Sequence, residues 1–339
     1  MEKQADADAG ALRQFIEFAR TSGLDLGAIL DDELRAIAEL CAEADRVPAH
    51  AIIDMLQVCA AVAGRPDLGV SFAQWGNMRH YGPLSLLWDH CPTLAEIIRV
   101  NRRYIHLESG ALTTPLEQDG DEIAVRHLLL VPARYGSSQF IEATLLLSTR
   151  IARLVLGENW SPLRIEFQHS APNDDRIQRR LFRCPLEYGA ERSAMVVHRD
   201  DLTRPTPNGN AHLLGFLERH LESAQSEMPV YFVAQVDRLI AANLANGDAT
   251  MEQIAKLLCI SRRTLQRRLD QHDTSFSQRL DAARRRIVDD YFRTERRPNL
   301  TLLAHRLGYG DASAASRYLR LHLKAGAREL TRRGASLES

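Results

Sequence analysis

Apolar residues recur at helical spacing over residues 11–63, first as Leu12, Phe15, Ile16 and Ala19, later as Ile52, Ile53, Leu56, Val58 and Cys59. Gly23, Gly27, Pro48 and Gly64-Arg65-Pro66 punctuate the run. The opening is therefore expected to be helical. Between residues 104 and 131 the pattern changes to apolar runs, Tyr104 to Leu107 and Ile123 to Val131, on either side of Gln118-Asp119-Gly120-Asp121, which predicts a β-hairpin. A helix over about 138–157 follows through Phe140, Ile141, Leu145, Leu146, Ile151 and Leu154. Strands are expected at 163–167 and 194–198, flanking a short helix from Ile177 to Phe182. Helices and a modest sheet in mixed order predict an α+β domain over residues 1–204.

Residues 205–229 read as a connecting helix and linker. Leu213, Leu217 and Leu221 recur every four residues, a stripe that serves either as a dimer seam or as packing on its own domain. Beyond it, residues 230–339 carry the same sentence twice. Ile254-Ala255-Lys256-Leu257-Leu258 returns as Leu303-Ala304-His305-Arg306-Leu307, and each copy runs into an Arg-bearing helical pattern. The register gains one residue in the turn between two helices, where insertion is cheapest. A small Ala in each first helix permits the close crossing of a helix-turn-helix, and Phe276 to Phe292 reads as one connector helix between the copies. An all-α C-terminal domain with two helix-turn-helix motifs follows from this pattern.

Charge sharpens the picture. The whole chain has a net charge of −1, yet residues 230–339 hold 20 Lys and Arg against 12 Asp and Glu, a net of +8, and residues 1–229 a net of −9. That asymmetry makes double-stranded DNA the first partner to consider. Five scattered cysteines with no Cys-x-x-Cys pair suggest neither a disulfide framework nor a zinc site. The acidic start lacks the order of a secretory signal and no apolar run reaches membrane-spanning length, so a cytoplasmic protein is expected.

Within copy one, Thr250 and Gln253 have capping-box order and Ser261 caps the second helix. Leu265 and Leu269 point inward, which turns Arg263, Gln266 and Arg267 toward the major groove, where Arg reads guanine and Gln adenine. Arg262 and Arg268 fit phosphate contacts. Copy two, capped by Asp311, offers Ser313, Ser316, Arg317 and Arg320 among small residues, a face suited to phosphate anchoring and shape readout. Of Arg284-Arg285-Arg286 on the connector, one is expected to bond inward.

The motif Ile254-Ala255-x-x-Leu258, Ser261-x-x-Thr264-Leu265-Gln266-Arg267-Arg268-Leu269, and then Leu303-Ala304-x-x-Leu307-Gly308-Tyr309-x-Asp311, resembles the AraC/XylS-type bacterial transcriptional regulators over about residues 230–330. Upstream, His80-Tyr81-Gly82-Pro83-Leu84, Pro92 to Glu96 and Tyr188-Gly189-Ala190 are similar to the branch with an arabinose-binding-like N-terminal domain, that of the ornithine-utilisation regulators. The resemblance implies a homodimer whose N-terminal domain binds a small effector and whose C-terminal domain binds promoter DNA and activates transcription through RNA polymerase. Cys259, Ala315, Lys324, Gly326 and Ala327 depart from the family pattern.

No phosphate loop, nucleophile elbow or metal-spaced cluster is present, so neither an enzyme nor a bound cofactor or metal is expected. Trp75, His80, Tyr81, Trp88, Arg103, Tyr104 and Arg126 are the candidate walls of an effector cavity, with aromatic faces and an Arg suited to a carboxylated ligand. Each also fits an ordinary core or surface role. The alternative to an effector-responsive regulator is one that uses its N-terminal domain only for dimerisation or protein partners.

Overall fold

The computed structural model describes residues 5–78, 82–226, 230–245, 247–258, 261–295 and 299–322. The chain divides into two compact units, Met1–Glu227 and Met228–Ser339.

The first unit begins with β1 (Asp6–Asp8), α1 (Ala9–Thr21), α2 (Leu26–Ile29) and α3 (Asp32–Leu40). It returns as β2 (Arg46–Pro48), antiparallel to β1, and enters α4 (His50–Ala63). Carboxylates start the first three helices: Asp8, Asp25 and Asp31 accept the otherwise unpaired N–H groups of Gly10, Ala28 and Leu34. The apolar faces of these helices close one core around Leu12, Phe15, Leu34, Ile53 and Leu56.

Next come α5 (Leu68–Trp75), α6 (Gly82–Trp88) and α7 (Leu94–Glu108), then β3 (Leu112–Thr113), β4 (Leu116–Asp119), β5 (Glu122–Arg126) and β6 (Leu128–Leu129). The long helix α8 (Ser138–Leu156) precedes β7 (Arg164–Phe167), α9 (Arg176–Phe182), β8 (Leu186–Tyr188), β9 (Ala194–His198) and α10 (Ala211–Ser226). Five strands form one sheet in the order β4-β5-β9-β7-β8, antiparallel except for β7 with β8, while β3 pairs separately with β6. The expected hairpin is β4–β5, turned at Gly120 with φ +58°, a conformation that suits glycine. One expectation fails: Tyr104 to Leu107 is the last turn of α7, not a strand. Those residues continue a stripe begun by Leu94, Ile97 and Ile98, and Thr93 caps that helix through the Glu96 N–H, so helical periodicity overrides a short apolar run. A second core, with Leu84, Ile97, Leu145, Phe167 and Val197, lies between these helices and the sheet.

Helices α5 and α8 bind the two cores together. At Gly69 an added Cβ would lie 2.1 Å from the Gln139 carbonyl oxygen, and the Gly69 N–H donates to Gln139 Oε1 at 2.8 Å. Only a residue without a side chain allows that approach. Along α10, Leu214 is buried and Leu217 and Leu221 pack against the second core, while Glu218 takes a bidentate pair from Arg99 at 2.9 and 3.0 Å. The leucine stripe is therefore engaged within its own unit at two of its three positions, and Leu213 is half-buried beside it.

The second unit consists, among its described residues, of α11 (Val230–Leu244), α12 (Met251–Leu257), α13 (Arg262–Asp270), α14 (Phe276–Thr294), α15 (Leu300–Arg306) and α16 (Ala312–His322). Ala255 and Ala304 are buried at the two helix crossings. Helix α14 spans about 28 Å at 1.5 Å per residue and opens with a full capping box, in which Ser275 and Gln278 each bind the other's backbone N–H. It is tied to α11 by a two-pronged pair between Arg279 and Asp237, with Nε to Oδ1 at 2.7 Å.

Replacing Gly69 with Ala is expected to destabilise the N-terminal unit by about 1–3 kcal/mol, because backbone must move to admit the methyl group. Thermal unfolding of the variant measures this; an unchanged midpoint would contradict the close approach.

Candidate nucleic-acid interface and buried cavity

Each helix-turn-helix is fixed at its turn before it presents any charge. In copy one the Thr250 hydroxyl accepts the Gln253 N–H at 3.1 Å and Ser261 accepts that of Thr264 at 3.1 Å, which sets the start of both helices. Leu265 and Leu269 of α13 are fully buried. Their burial points the opposite face outward. Arg263 and Arg267 are exposed there, and Gln266 donates to Asp270 at 2.7 Å, a one-turn contact that a base edge can exchange. Arg262 pairs with Glu252 of α12 at 3.0 Å in full solvent, a bond of little energetic weight that leaves the guanidinium available. Arg268 lies half-buried over the Phe232 ring at 5.3 Å, on the flank of α13 that meets α11.

Copy two is built the same way. Asp311 accepts the Ala314 N–H at 2.8 Å, and backbone hydrogen bonds hold its carboxyl below the usual range. Ala315, Tyr318 and Leu319 bury the inner face of α16 against Val288, Tyr291 and Leu303. The departure at Ala315 is thus filled by neighbours. Ser313, Arg317 and Arg320 are exposed and Ser316 half-buried. Gly308, at φ +73°, brings this turn so close to α11 that a Cβ would meet the Leu244 carbonyl oxygen at 2.5 Å. Of the three connector arginines, Arg284 turns inward: its Nε donates to the Leu307 carbonyl at 3.1 Å and its guanidinium covers the Tyr309 ring at 4.4 Å. Arg285 pairs with Asp281 on the exposed side.

In the N-terminal unit a cavity of about 110 Å³ opens where the two cores meet. One helical stripe of α8, Phe140, Ala143, Thr144, Leu147, Ser148 and Ile151, forms a wall, and Asn101, Ile105 and Glu108 of α7 form another. His127 reaches in from the break between β5 and β6. Its Nδ1 lies 2.9 Å from Thr144 Oγ1 and its Nε2 3.2 Å from Ser148 Oγ. The Thr144 proton goes to the Ile141 carbonyl, so Nδ1–H donates to Thr144 and Nε2 accepts from Ser148. Burial holds this ring neutral and pushes its pKa down to about 3. Burial pushes the Glu108 carboxyl up to about 7, aided by the nearby charge of Asp8.

The family model described as the arabinose-binding domain of AraC transcription regulator, N-term, matches residues 23–206, more than half of the chain. The chain belongs to the AraC transcription regulators. The HTH-type transcriptional regulator VirS of Mycobacterium tuberculosis is 25% identical over 272 residues, 79% of each chain. The ornithine utilization regulator of Pseudomonas aeruginosa is 26% identical over 263 residues, 77% of each. The crystal structure of transcriptional regulator CdpR from Pseudomonas aeruginosa aligns with a TM-score of 0.44 at 16% identity, over 95% of this chain and 98% of that one. These relatives are named as regulators, not enzymes. Among the described residues no group of three or more His, Cys, Asp and Glu is placed to hold a metal, and no helix is long and apolar enough to cross a membrane.

Within this AraC-type chain the effector residues expected from sequence do not come together. Trp88 lines the cavity, its Nε1–H donating to Asn101 Oδ1 at 2.6 Å. Trp75 is exposed and packs on Phe18, Tyr104 is buried away from the cavity lining, and Arg103 lies over the Tyr104 ring near Glu218. Arg126 belongs to a sheet-surface network in which Glu117 bridges it to Arg192. His80 and Tyr81 lie outside the described residues. Sequence reasoning missed Glu108 and Thr114, although Glu108 falls on the apolar stripe of α7, three residues after Ile105, and so signals a buried carboxyl.

A further buried acid, Glu142 of α8, takes a hydrogen bond from Gln178 at 3.0 Å, with His169 Nε2 3.5 Å away. Burial raises its pKa from 4.5 to about 8. A raised folded-state value means the native state holds the proton longer, so this group's contribution is complete below pH 4.5 and is lost as pH climbs through 8. Glu142→Gln is therefore expected to melt several degrees above the parent at pH 9, with the gap closing toward pH 5. Paired melting curves test it; a gap that is constant with pH would refute the buried neutral acid.

Proposed function

We propose that the chain is a sequence-specific DNA-binding regulator of transcription that reads double-stranded promoter DNA with α13 and anchors on it with α16. In this reading Arg263, Gln266 and Arg267 contact base edges, and Arg262, Arg268, Ser313, Ser316, Arg317 and Arg320 hold phosphates. The observation that carries it is the pairing of buried Leu265 and Leu269 with exposed Arg263 and Arg267 on a helix capped as a helix-turn-helix requires. The ordering of two such motifs around α14, and family membership, support the same function. The N-terminal unit is the regulatory half. Its cavity takes a small effector, the protein works as a cytoplasmic homodimer, and the output is activation through RNA polymerase.

Two substitutions separate reading from anchoring. Arg267→Ala is expected to cost about 1–3 kcal/mol on cognate DNA and to relax preference at one base pair. Arg268→Ala, which removes a cation seated on Phe232, weakens cognate and random DNA alike. Fluorescence anisotropy with the upstream region of the adjacent genes and with random duplex decides. Equal affinity of the parent protein for both duplexes at physiological salt would end the sequence-specific reading.

A further inference from the structure

The cavity between the two cores is walled almost wholly by carbon, so its few polar groups define what fits. His127, Thr144 and Ser148 satisfy one another, and Asn101 Oδ1 is taken by Trp88. Asp8 and Ser109, also in the wall, accept the N–H groups of Gly10 and Ala111. Glu108 and Thr114 are less well served. Thr114 Oγ1 is buried, at 6% exposure for the residue, and has no hydrogen-bond partner among the described residues. Glu108, 9% exposed, accepts at Oε1, among the described residues, a long bond of 3.4 Å from the Leu84 N–H. Unmet polar atoms of this kind, beside an apolar space, lower stability until something satisfies them.

Three ligand classes are disfavoured by the same wall. Among the described lining residues there is no Lys or Arg, and Asp8 and Glu108 are both acidic, so a carboxylate finds no counter-charge among them. A sugar would press most of its hydroxyls against Leu12, Leu56, Phe72, Phe140 and their neighbours. A long acyl chain exceeds a space of about 110 Å³, comparable to the engineered apolar cavity of about 150 Å³ that accepts benzene. What remains is a compact apolar body with one group able to donate to a carboxyl and accept from a hydroxyl.

We infer that this cavity binds a small uncharged aromatic alcohol, of the phenol or benzyl alcohol class, with its hydroxyl turned to Glu108 and Thr114. The inference rests on the reading of the N-terminal unit as an effector domain and adds the chemistry of the effector. The ligand fills the space with carbon contacts and supplies a partner for Thr114.

Isothermal titration of the full chain with benzyl alcohol, phenol, benzylamine, benzoate, decanoate and L-arabinose tests it. Saturable binding of either alcohol, tighter than that of the other four compounds, is expected, and Thr114→Val, which keeps the shape and removes the donor, weakens it about tenfold. Ala143→Leu, which fills the space, abolishes it. Tighter binding of the amine, either acid or the sugar, binding of no compound, or unchanged affinity in the Thr114→Val protein would each overturn the assignment. DNA binding by the ligand-free chain is measured separately. Intact sequence preference beside a failed titration rejects the ligand class alone, whereas lost preference rejects the regulator reading.

Discussion

Everything in the N-terminal unit is arranged around the contact of α5 with α8 at Gly69. A helix pair that touches backbone to side-chain amide leaves no room for a spacer, so the two apolar clusters on either side are drawn into one body. Leu68 and Phe72 face one cluster while Val70 and Ala73 face the other. The helices thus act as a shared wall. The cavity lies at this seam because two cores built on opposite faces of the same pair cannot interdigitate fully where they meet.

Two of the unit's buried acids stand on the helices that wall the cavity. Glu108 and Glu142 occupy the inner stripes of α7 and α8, positions at which a carbon side chain would pack without cost. Their carboxyls are held toward the neutral form by burial, and His127 is held neutral by the same cause. The C-terminal unit follows a different rule. Arg268 and Arg284 rest on the Phe232 and Tyr309 rings, Arg279 pairs with Asp237, and Arg263 and Arg267 stand at the surface.

The two units differ in how much of them could be read from residues alone. In the C-terminal unit local rules agree with one another: caps at Thr250, Ser261 and Asp311, inward leucines, and a repeat whose two copies check each other. The N-terminal unit depends on contacts far apart in sequence. Strands β1 and β2 have three residues each, too few to show alternation, and their pairing spans 40 residues. Tyr104 to Leu107 looked extended only because the stripe that makes it helical begins ten residues earlier. The effector candidates rest on chemical type, and type does not report direction: Arg126 points along the sheet surface to Glu117, whereas its neighbour His127 enters the cavity. Membership of the AraC regulators does not remedy this, since the family fixes the scaffold and leaves the lining to individual side chains.

The inward turn of Arg284 has a quantitative consequence for any polyanion that meets this surface. A guanidinium that gives its Nε–H to the Leu307 carbonyl and its face to Tyr309 has less to offer a phosphate, and Arg279, closed on Asp237, likewise displaces few condensed counterions. Formal charge therefore overstates the number of ions set free when duplex docks. The slope of affinity against ionic strength should follow the outward guanidiniums of α13 and α16 more closely than the total of basic residues.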